Sequence, residues 1–181
     1  MALPAGAVHV HYESAFEDAL RRFCRPYIRV DEQKRTMLAD VRVKSFDFVV
    51  YPDASRKWLV DVKGRHFPYV GDAGRRYWEN WVTREDVEGM SAWESVFGDG
   101  YEGTFVFAYL IHESCRQPPP GRVYEFRGQR YCFLAAPARR YAEHARVRSP
   151  RWDTVSLSAT HFRRIIEPVF DAADPPRAAA C

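Results

Sequence analysis

Two apolar stretches joined by a short turn constrain the fold of this chain more than any other feature. Residues 46–51 read Phe-Asp-Phe-Val-Val-Tyr, and residues 57–63 read Lys-Trp-Leu-Val-Asp-Val-Lys after a turn that begins at Pro52. Apolar runs of this length, rich in aromatic and β-branched residues and bounded by turn residues, predict two strands. Because the connection is short, we expect the strands to pair antiparallel. Gly64 is expected to end the second one.

Charged residues interrupt both apolar runs. Asp47 lies in the first, and Asp61 and Lys63 lie in the second. Because strand side chains alternate, Asp61 and Lys63 should share one face, and pairing of the strands would bring Asp47 near Asp61. Two neighbouring carboxylates repel, and a hard divalent cation with oxygen ligands relieves that repulsion. These residues therefore predict a metal and catalytic centre. The alternative is a surface hairpin in which Asp61 and Lys63 merely pair in solvent, and it explains Asp47 poorly because Asp is disfavoured within strands.

The remaining patterns alternate between helix and strand. The predicted elements are a helix at 12–25 before Pro26, a strand at 27–30, helices near 77–82 and 86–93, a buried strand at 104–111, a hairpin across 123–135, a helix at 137–145 and a last helix capped by Ser158. This order predicts an α/β (α+β) fold with a central mixed sheet flanked by helices and with a C-terminal hairpin and helices. We expect an N-terminal segment (1–11), a single domain (12–170) and a flexible tail (171–181).

Composition narrows the class of protein. The chain has 181 residues, 46% hydrophobic residues and a net charge of +3, which fits one globular domain and permits a polyanionic partner without requiring one. The four cysteines form no CxxC pair, so a zinc knuckle is not expected. No signal peptide or long apolar run is found, which predicts a cytoplasmic protein without a membrane partner. P-loop and GxSxG motifs are absent from the sequence.

Asp47, fourteen positions before the Asp61-x-Lys63 motif, resembles the PD-(D/E)xK nuclease superfamily. That resemblance implies a restriction-endonuclease-like core of a helix, three strands, a helix and a further strand. It also implies a glutamate on the first helix, and Glu17 is preferred over Glu13 for this role. The chain departs from the motif in having Phe46 where proline often stands, a position that varies within the superfamily.

The resemblance implies a Mg²⁺-dependent endonuclease, with Mn²⁺ as the alternative cation, that hydrolyses phosphodiester bonds in nucleic acid, with DNA as the expected substrate. Asp47, Asp61 and the Val62 carbonyl would bind the metal, Lys63 would serve the attacking water, and Glu17 would complete the catalytic set. Specificity would come from DNA structure, from a homodimer or from a companion protein. Two alternatives stay open, namely a catalytically inactive nucleic-acid-binding or assembly module of the same fold and an unrelated α+β binding protein.

Basic and aromatic residues outside the motif suggest a nucleic-acid surface. The expected phosphate-binding residues are Arg65, Arg75, Arg76, Arg139 and Arg140. A solvated basic face is an equally good interpretation. Trp78, Trp81, Trp93 and Trp152 suggest base stacking, although core packing is the preferred interpretation for them.

Overall fold

The computed structural model describes residues 5–30, 37–38, 41–42, 44–70, 76–171 and 174. The helices in this part of the chain are α1 (Ala5–Arg22), α2 (Arg84–Phe97), α3 (Ala138–His144) and α4 (Ala159–Ile165), with a short 3-10 helix at Pro150–Trp152. The strands are β1 (Tyr27–Arg29), β2 (Met37–Leu38), β3 (Val41–Arg42), β4 (Phe48–Val50), β5 (Lys57–Phe67), β6 (Tyr69–Val70), β7 (Arg76–Tyr77), β8 (Val82–Thr83), β9 (Tyr101–Ile111), β10 (Tyr124–Phe126), β11 (Gln129–Pro137), β12 (Arg146–Ser149), β13 (Thr154–Ser156) and β14 (Glu167–Pro168).

A seven-stranded mixed sheet organises the chain, in the order β1-β4-β5-β9-β11-β10 with β14 paired to β11. Strands β5 and β9 run parallel, as expected for two strands separated by helix α2, and the other pairs are antiparallel. The α/β (α+β) prediction with a central mixed sheet flanked by helices is therefore confirmed. Apart from short two-residue strands, the order α1, β1, β4, β5, α2, β9 matches the core that the resemblance implies.

The two faces of the sheet carry separate hydrophobic cores. Helix α1 covers one face with a stripe of apolar residues, and helices α2, α3 and α4 cover the other. The α1 stripe includes Tyr12, Phe16 and Leu20, spaced so that they share one side of a helix. Helix α1 ends at Arg22, and Cys24 then adopts a left-handed conformation with φ 49° before the chain enters β1. No helix of the described residues is long and apolar enough to cross a membrane.

Strand β5 is longer than predicted. The sequence suggested an end at Gly64, but the strand continues to Phe67, which pairs with Ile111 of β9. Gly64 lies beneath Tyr12, and a Cβ atom there would stand 2.1 Å from the Tyr12 ring. The glycine therefore marks a close approach between helix and strand instead of a chain turn.

The helix predicted at 77–82 is wrong, because residues 78–81 are neither helix nor strand and connect β7 to β8. Tertiary hydrogen bonds take the place of helical ones. The Asn80 side chain donates to the Leu157 carbonyl at 3.1 Å and accepts from the Leu157 amide at 2.9 Å. The Tyr109 hydroxyl donates to the Glu79 carbonyl at 2.7 Å, and the Tyr141 hydroxyl donates to the Asn80 carbonyl at 2.6 Å. Partners this distant in sequence override local helix propensity.

The other predicted elements are present with shifted ends. The hairpin is β10–β11, the helix at 137–145 is α3, and Ser158 caps α4 by accepting from the His161 amide. The predicted helix at 86–93 is α2, which is longer at both ends. Helix α1 begins at Ala5, seven residues before the predicted start, because residues 5–11 include two alanines and no proline and so allow the helix to extend. Tail residues 172–173 and 175–181 lie outside the described part of the chain, so the expected domain bounds stay a prediction.

Candidate active site

The pairing of β4 with β5 brings Asp47 to Asp61. Phe48 lies opposite Val60 in the antiparallel register, and Asp47 immediately precedes this pair. The Asp47 amide donates to the Val60 carbonyl at 2.8 Å, and the Asp47 carboxylate accepts from the Val62 amide at 2.6 Å. Both aspartates are buried. These two backbone contacts lie on either side of Asp61 in sequence, so Asp47 is held next to Asp61. Asp61 follows Leu59 by two residues and therefore lies on the face covered by α2.

Lys63 connects two buried carboxylates on this face. Its ammonium nitrogen lies 2.6 Å from Asp61 Oδ2 and 3.0 Å from Asp86 Oδ1. Lys44 forms a second ion pair with the same Asp86 oxygen from the solvent side. Two acids and two lysines therefore alternate in one network, and each buried charge has an opposite charge beside it, as burial of ions requires.

The surroundings shift the pKa values of these groups in different directions. Burial raises the pKa of Asp61, and the ammonium of Lys63 offsets part of that increase. Burial lowers the pKa of Lys63, but Asp61 and Asp86 outweigh it, so the pKa of Lys63 lies above its usual range. For Asp86 burial is also unfavourable, yet Lys63 and Lys44 bring its pKa down to about 2. Lys63 is thus an ammonium ion at neutral pH, suited to stabilising negative charge.

Asp86 is a site residue that sequence reasoning missed. It is the third residue of α2, where its carboxylate accepts from the Thr83 amide at 2.7 Å while the Thr83 hydroxyl accepts from the Asp86 amide at 3.1 Å. This reciprocal capping box fixes the start of the helix. The Thr83-x-x-Asp86 pattern is visible in the sequence as a helix start, but nothing in it indicates the contact with Lys63.

Glu17 lies on α1, and its carboxylate is bound by other side chains. It accepts from Arg21 at 2.5 Å, from Arg29 at 2.5 Å and from the Tyr27 hydroxyl at 2.9 Å. Burial acts to raise the pKa of Glu17, but these hydrogen bonds and positive charges outweigh it and lower the pKa. Glu13, the competing residue, forms an ion pair with Arg29 at 3.4 Å. The catalytic role of Glu17 stays a prediction.

The arginines expected to contact nucleic acid differ in accessibility. Arg65 is only 6% exposed; its guanidinium stacks on the Trp81 ring at 3.8 Å from the centroid and donates to the Gly64 and Trp81 carbonyls. This interior position does not favour a phosphate contact. Arg139 and Arg140 are exposed on α3. Arg75 and the side chain of Arg76 lie outside the described residues.

The donor set fits a hard cation. Asp47 and Asp61 supply carboxylate oxygens and Val62 a backbone carbonyl, which are the ligand types that Mg²⁺ takes when it keeps much of its hydration. The described residues contain no group of three His, Cys, Asp or Glu side chains that could hold a metal. A site on these strands therefore depends on two carboxylates and on main-chain oxygen.

Comparisons with known proteins assign no family. No family model matches the sequence, and no curated protein matches it. Among solved structures, the chain is similar to the Holliday junction resolvase Hjc of Archaeoglobus fulgidus, an archaeal hyperthermophile. The identity is 13% and the TM-score 0.47, over 87% of this chain and 94% of that one. At this level the similarity assigns neither an activity nor a substrate.

Proposed function

We propose that this chain is a metal-dependent nuclease of the PD-(D/E)xK superfamily that hydrolyses phosphodiester bonds in nucleic acid, with DNA as the expected substrate. The observation that carries the proposal is that Asp47 binds the backbone of Val60 and Val62, on either side of Asp61, while Lys63 is ion-paired to Asp61. Burying two carboxylates beside a fixed ammonium costs free energy of folding. A role in metal-assisted hydrolysis of a phosphodiester explains why the chain keeps these charges in its interior.

Asp47, Asp61 and the Val62 carbonyl would hold Mg²⁺, or Mn²⁺ in its place. When bound, the cation supplies Lewis-acid polarisation of the scissile phosphate. Lys63 is positioned to donate hydrogen bonds to the phosphate and to stabilise the negative charge that develops on it. Asp86 and Asp61 together hold the Lys63 ammonium, so the lysine needs little rearrangement when substrate binds.

A catalytically inactive nucleic-acid-binding module is the second candidate. The charge network favours it in one respect, because Asp61, Lys63, Asp86 and Lys44 already neutralise one another without a cation. A network of this kind is able to stabilise the fold without taking part in catalysis. The two candidate functions differ in whether bound nucleic acid is cleaved when a divalent cation is present.

A cleavage assay separates these candidates. The purified chain is incubated with single-stranded, duplex and branched DNA and with RNA, in Mg²⁺, in Mn²⁺ or in EDTA. Lys63→Ala and Asp61→Ala are compared with the matched control Lys57→Ala, which alters a lysine at the other end of the same strand. We expect cation-dependent cleavage by the wild type and the control, and a loss of about 100-fold or more in both site variants.

Cleavage that survives both site substitutions would overturn the proposed centre. Failure to cleave any substrate, combined with binding that weakens as salt rises, would favour the inactive module.

A further inference from the structure

Residues 138–166 form a basic lobe on the same side of the sheet as Lys63. The lobe contains α3, β12, the 3-10 helix, β13 and α4, and it carries seven arginines against two acidic residues, Glu143 and Asp153. All seven arginines are exposed. A surface with this excess of accessible guanidinium groups attracts a polyanion.

Aromatic contacts hold the basic lobe on the sheet beside the candidate site. The Tyr141 ring of α3 lies 5.4 Å from that of Phe105, and the Phe162 ring of α4 lies 5.0 Å from that of Phe107. Phe105 and Phe107 are the parallel-strand partners of Asp61 and Lys63. The lobe therefore rests on the strand next to the charged residues of β5.

Trp152 is the exception among the tryptophans of the described residues. Trp58 and Trp93 are buried, Trp78 and Trp81 are partly buried, and Trp152 is 67% exposed. The Arg151 guanidinium lies 5.2 Å from the Trp152 ring centroid. An exposed indole beside guanidinium groups contributes little to the core, but it offers a flat surface on which a nucleobase stacks.

The turn that carries Trp152 is anchored next to the residues that fix Lys63. Asp153 accepts from the Arg84 amide at 2.9 Å and forms an ion pair with the Arg84 side chain at 3.1 Å. Thr154 of β13 pairs with Thr83 of β8, and Thr83 caps the helix whose third residue is Asp86. A short path of direct contacts thus connects the exposed ring to the Asp86–Lys63 ion pair.

We propose that the basic lobe binds a single-stranded segment of nucleic acid, with one unpaired base stacked on Trp152 and the neighbouring phosphates on the arginines. Because the lobe adjoins Lys63, this inference deepens the proposed nuclease function by naming the substrate class, a nucleic acid with an unpaired stretch. In a paired duplex the bases are stacked on one another and cannot lie flat on the indole, so single strands are preferred.

Binding measured in EDTA tests this proposal apart from catalysis. Fluorescence anisotropy compares labelled oligothymidylate, oligouridylate and a DNA duplex of the same length on the wild type, Trp152→Ala and Trp152→Phe. The matched control is Ile28→Ala, which removes an apolar side chain that is also more than half exposed, in the edge strand β1. We expect Trp152→Ala to weaken binding of single strands by about five- to 150-fold, Trp152→Phe to retain most of it, and duplex affinity to change less than about twofold.

Equal binding of single strands by Trp152→Ala and the wild type would overturn the proposal. An equal loss for single strand and duplex, or failure of the wild type to bind single strands at low salt, would overturn it as well. Stronger binding of oligothymidylate than of oligouridylate would identify DNA as the source of the strand, and the reverse order would identify RNA; both support the lobe as a single-strand site.

A second readout uses the unaltered protein in case Trp152→Ala does not fold. Bound oligothymidylate should shield the exposed indole of the wild type from acrylamide quenching, while Trp152→Phe should show no such shielding. Quenching that is unchanged by saturating oligothymidylate would contradict stacking on Trp152. These results do not depend on cleavage, so an inactive protein that still binds through Trp152 would leave this inference intact and overturn only the nuclease proposal.

Discussion

The two faces of strand β5 differ sharply although they belong to the same eleven residues. Toward α1 the strand presents Trp58, Val60 and Val62 and then Gly64, all packed against the helix. Toward α2, α3 and α4 it presents Leu59 followed by three charged residues, Asp61, Lys63 and Arg65. Alternation of side chains alone separates these two sets.

The difference shows how one strand combines a tightly packed apolar face with a buried charged face. The α1 face buries aromatic and aliphatic groups, which is the main favourable contribution to folding. The opposite face buries three ionisable groups, and each is held by specific partners: Lys63 by Asp61 and Asp86, and Arg65 by Trp81 and main-chain carbonyls. Burial of charge at these positions costs free energy that packing on the other face offsets.

The largest predicted change in stability comes from a substitution in the core between α1 and the sheet. Phe16 is fully buried and contacts the rings of Phe48 and Phe133 at 5.6 and 5.2 Å. Phe16→Ala should lower the free energy of unfolding by about 3–5 kcal/mol, because it removes buried area and leaves a cavity. Urea denaturation followed by circular dichroism measures it, with Ile28→Ala expected within about 0.5 kcal/mol of wild type. A loss at Phe16 as small as that at Ile28 would show that the α1 face does not carry the stability assigned to it.

A smaller effect concerns Asp86 on the charged face. Its pKa of about 2 lies below the usual value of 3.8 for Asp, so the ionised carboxylate stabilises the fold above about pH 4, and this contribution is lost as pH falls toward 2. Asp86→Asn should cost about 2 kcal/mol at neutral pH, and the difference from wild type should disappear near pH 2.

Thermal unfolding of wild type and Asp86→Asn across this pH range provides the measurement. Glu85→Gln is the control, since Glu85 is an exposed neighbour in the same helical turn. A stability difference between wild type and Asp86→Asn that stays constant from pH 7 to pH 2 would show that the ion pairs of Asp86 contribute nothing to folding.

The smallest expected effect on stability is at Glu17. Its partners Arg21 and Arg29 have side chains that are 64% and 47% exposed, so solvent screens the ion pairs and Glu17→Gln should cost less than about 1 kcal/mol. If Glu17 completes the catalytic set, cleavage should fall clearly more in Glu17→Gln than in Glu13→Gln. Equal cleavage by the two variants and the wild type would remove α1 from the site and leave the charged face as the whole centre.

Strands β4 and β5, which carry the candidate site, could be predicted from sequence because their signals are local. Asp61 and Lys63 interrupt an apolar run, and alternation places them on one face. The short turn between the two runs dictates the antiparallel pairing that brings Asp47 next to Asp61. The buried strand β9 was predicted for a similar reason, since a nearly continuous apolar run is typical of a central strand.

Features that depend on distant contacts could not be predicted in this way. Leu157 and Tyr141, far along the chain, bind Asn80 in the segment before β8, and these contacts override its helical pattern. The sequence around Gly64 predicts a strand end. The residue is instead a glycine because Tyr12 of α1 leaves no room for a side chain there. Asp86 joins the site only because α2 packs with its first turn over Lys63.

Cation binding tests the central claim most directly. Mn²⁺ titration followed by electron paramagnetic resonance, without nucleic acid, compares the wild type with Asp47→Asn, Asp61→Asn and Lys63→Ala. The account predicts that the wild type binds Mn²⁺, that each Asp variant binds at least about tenfold more weakly, and that Lys63→Ala binds as well as the wild type or better while failing to cleave. Mn²⁺ affinity that is the same in Asp61→Asn and the wild type, or absent from both, would contradict a metal centre on these strands.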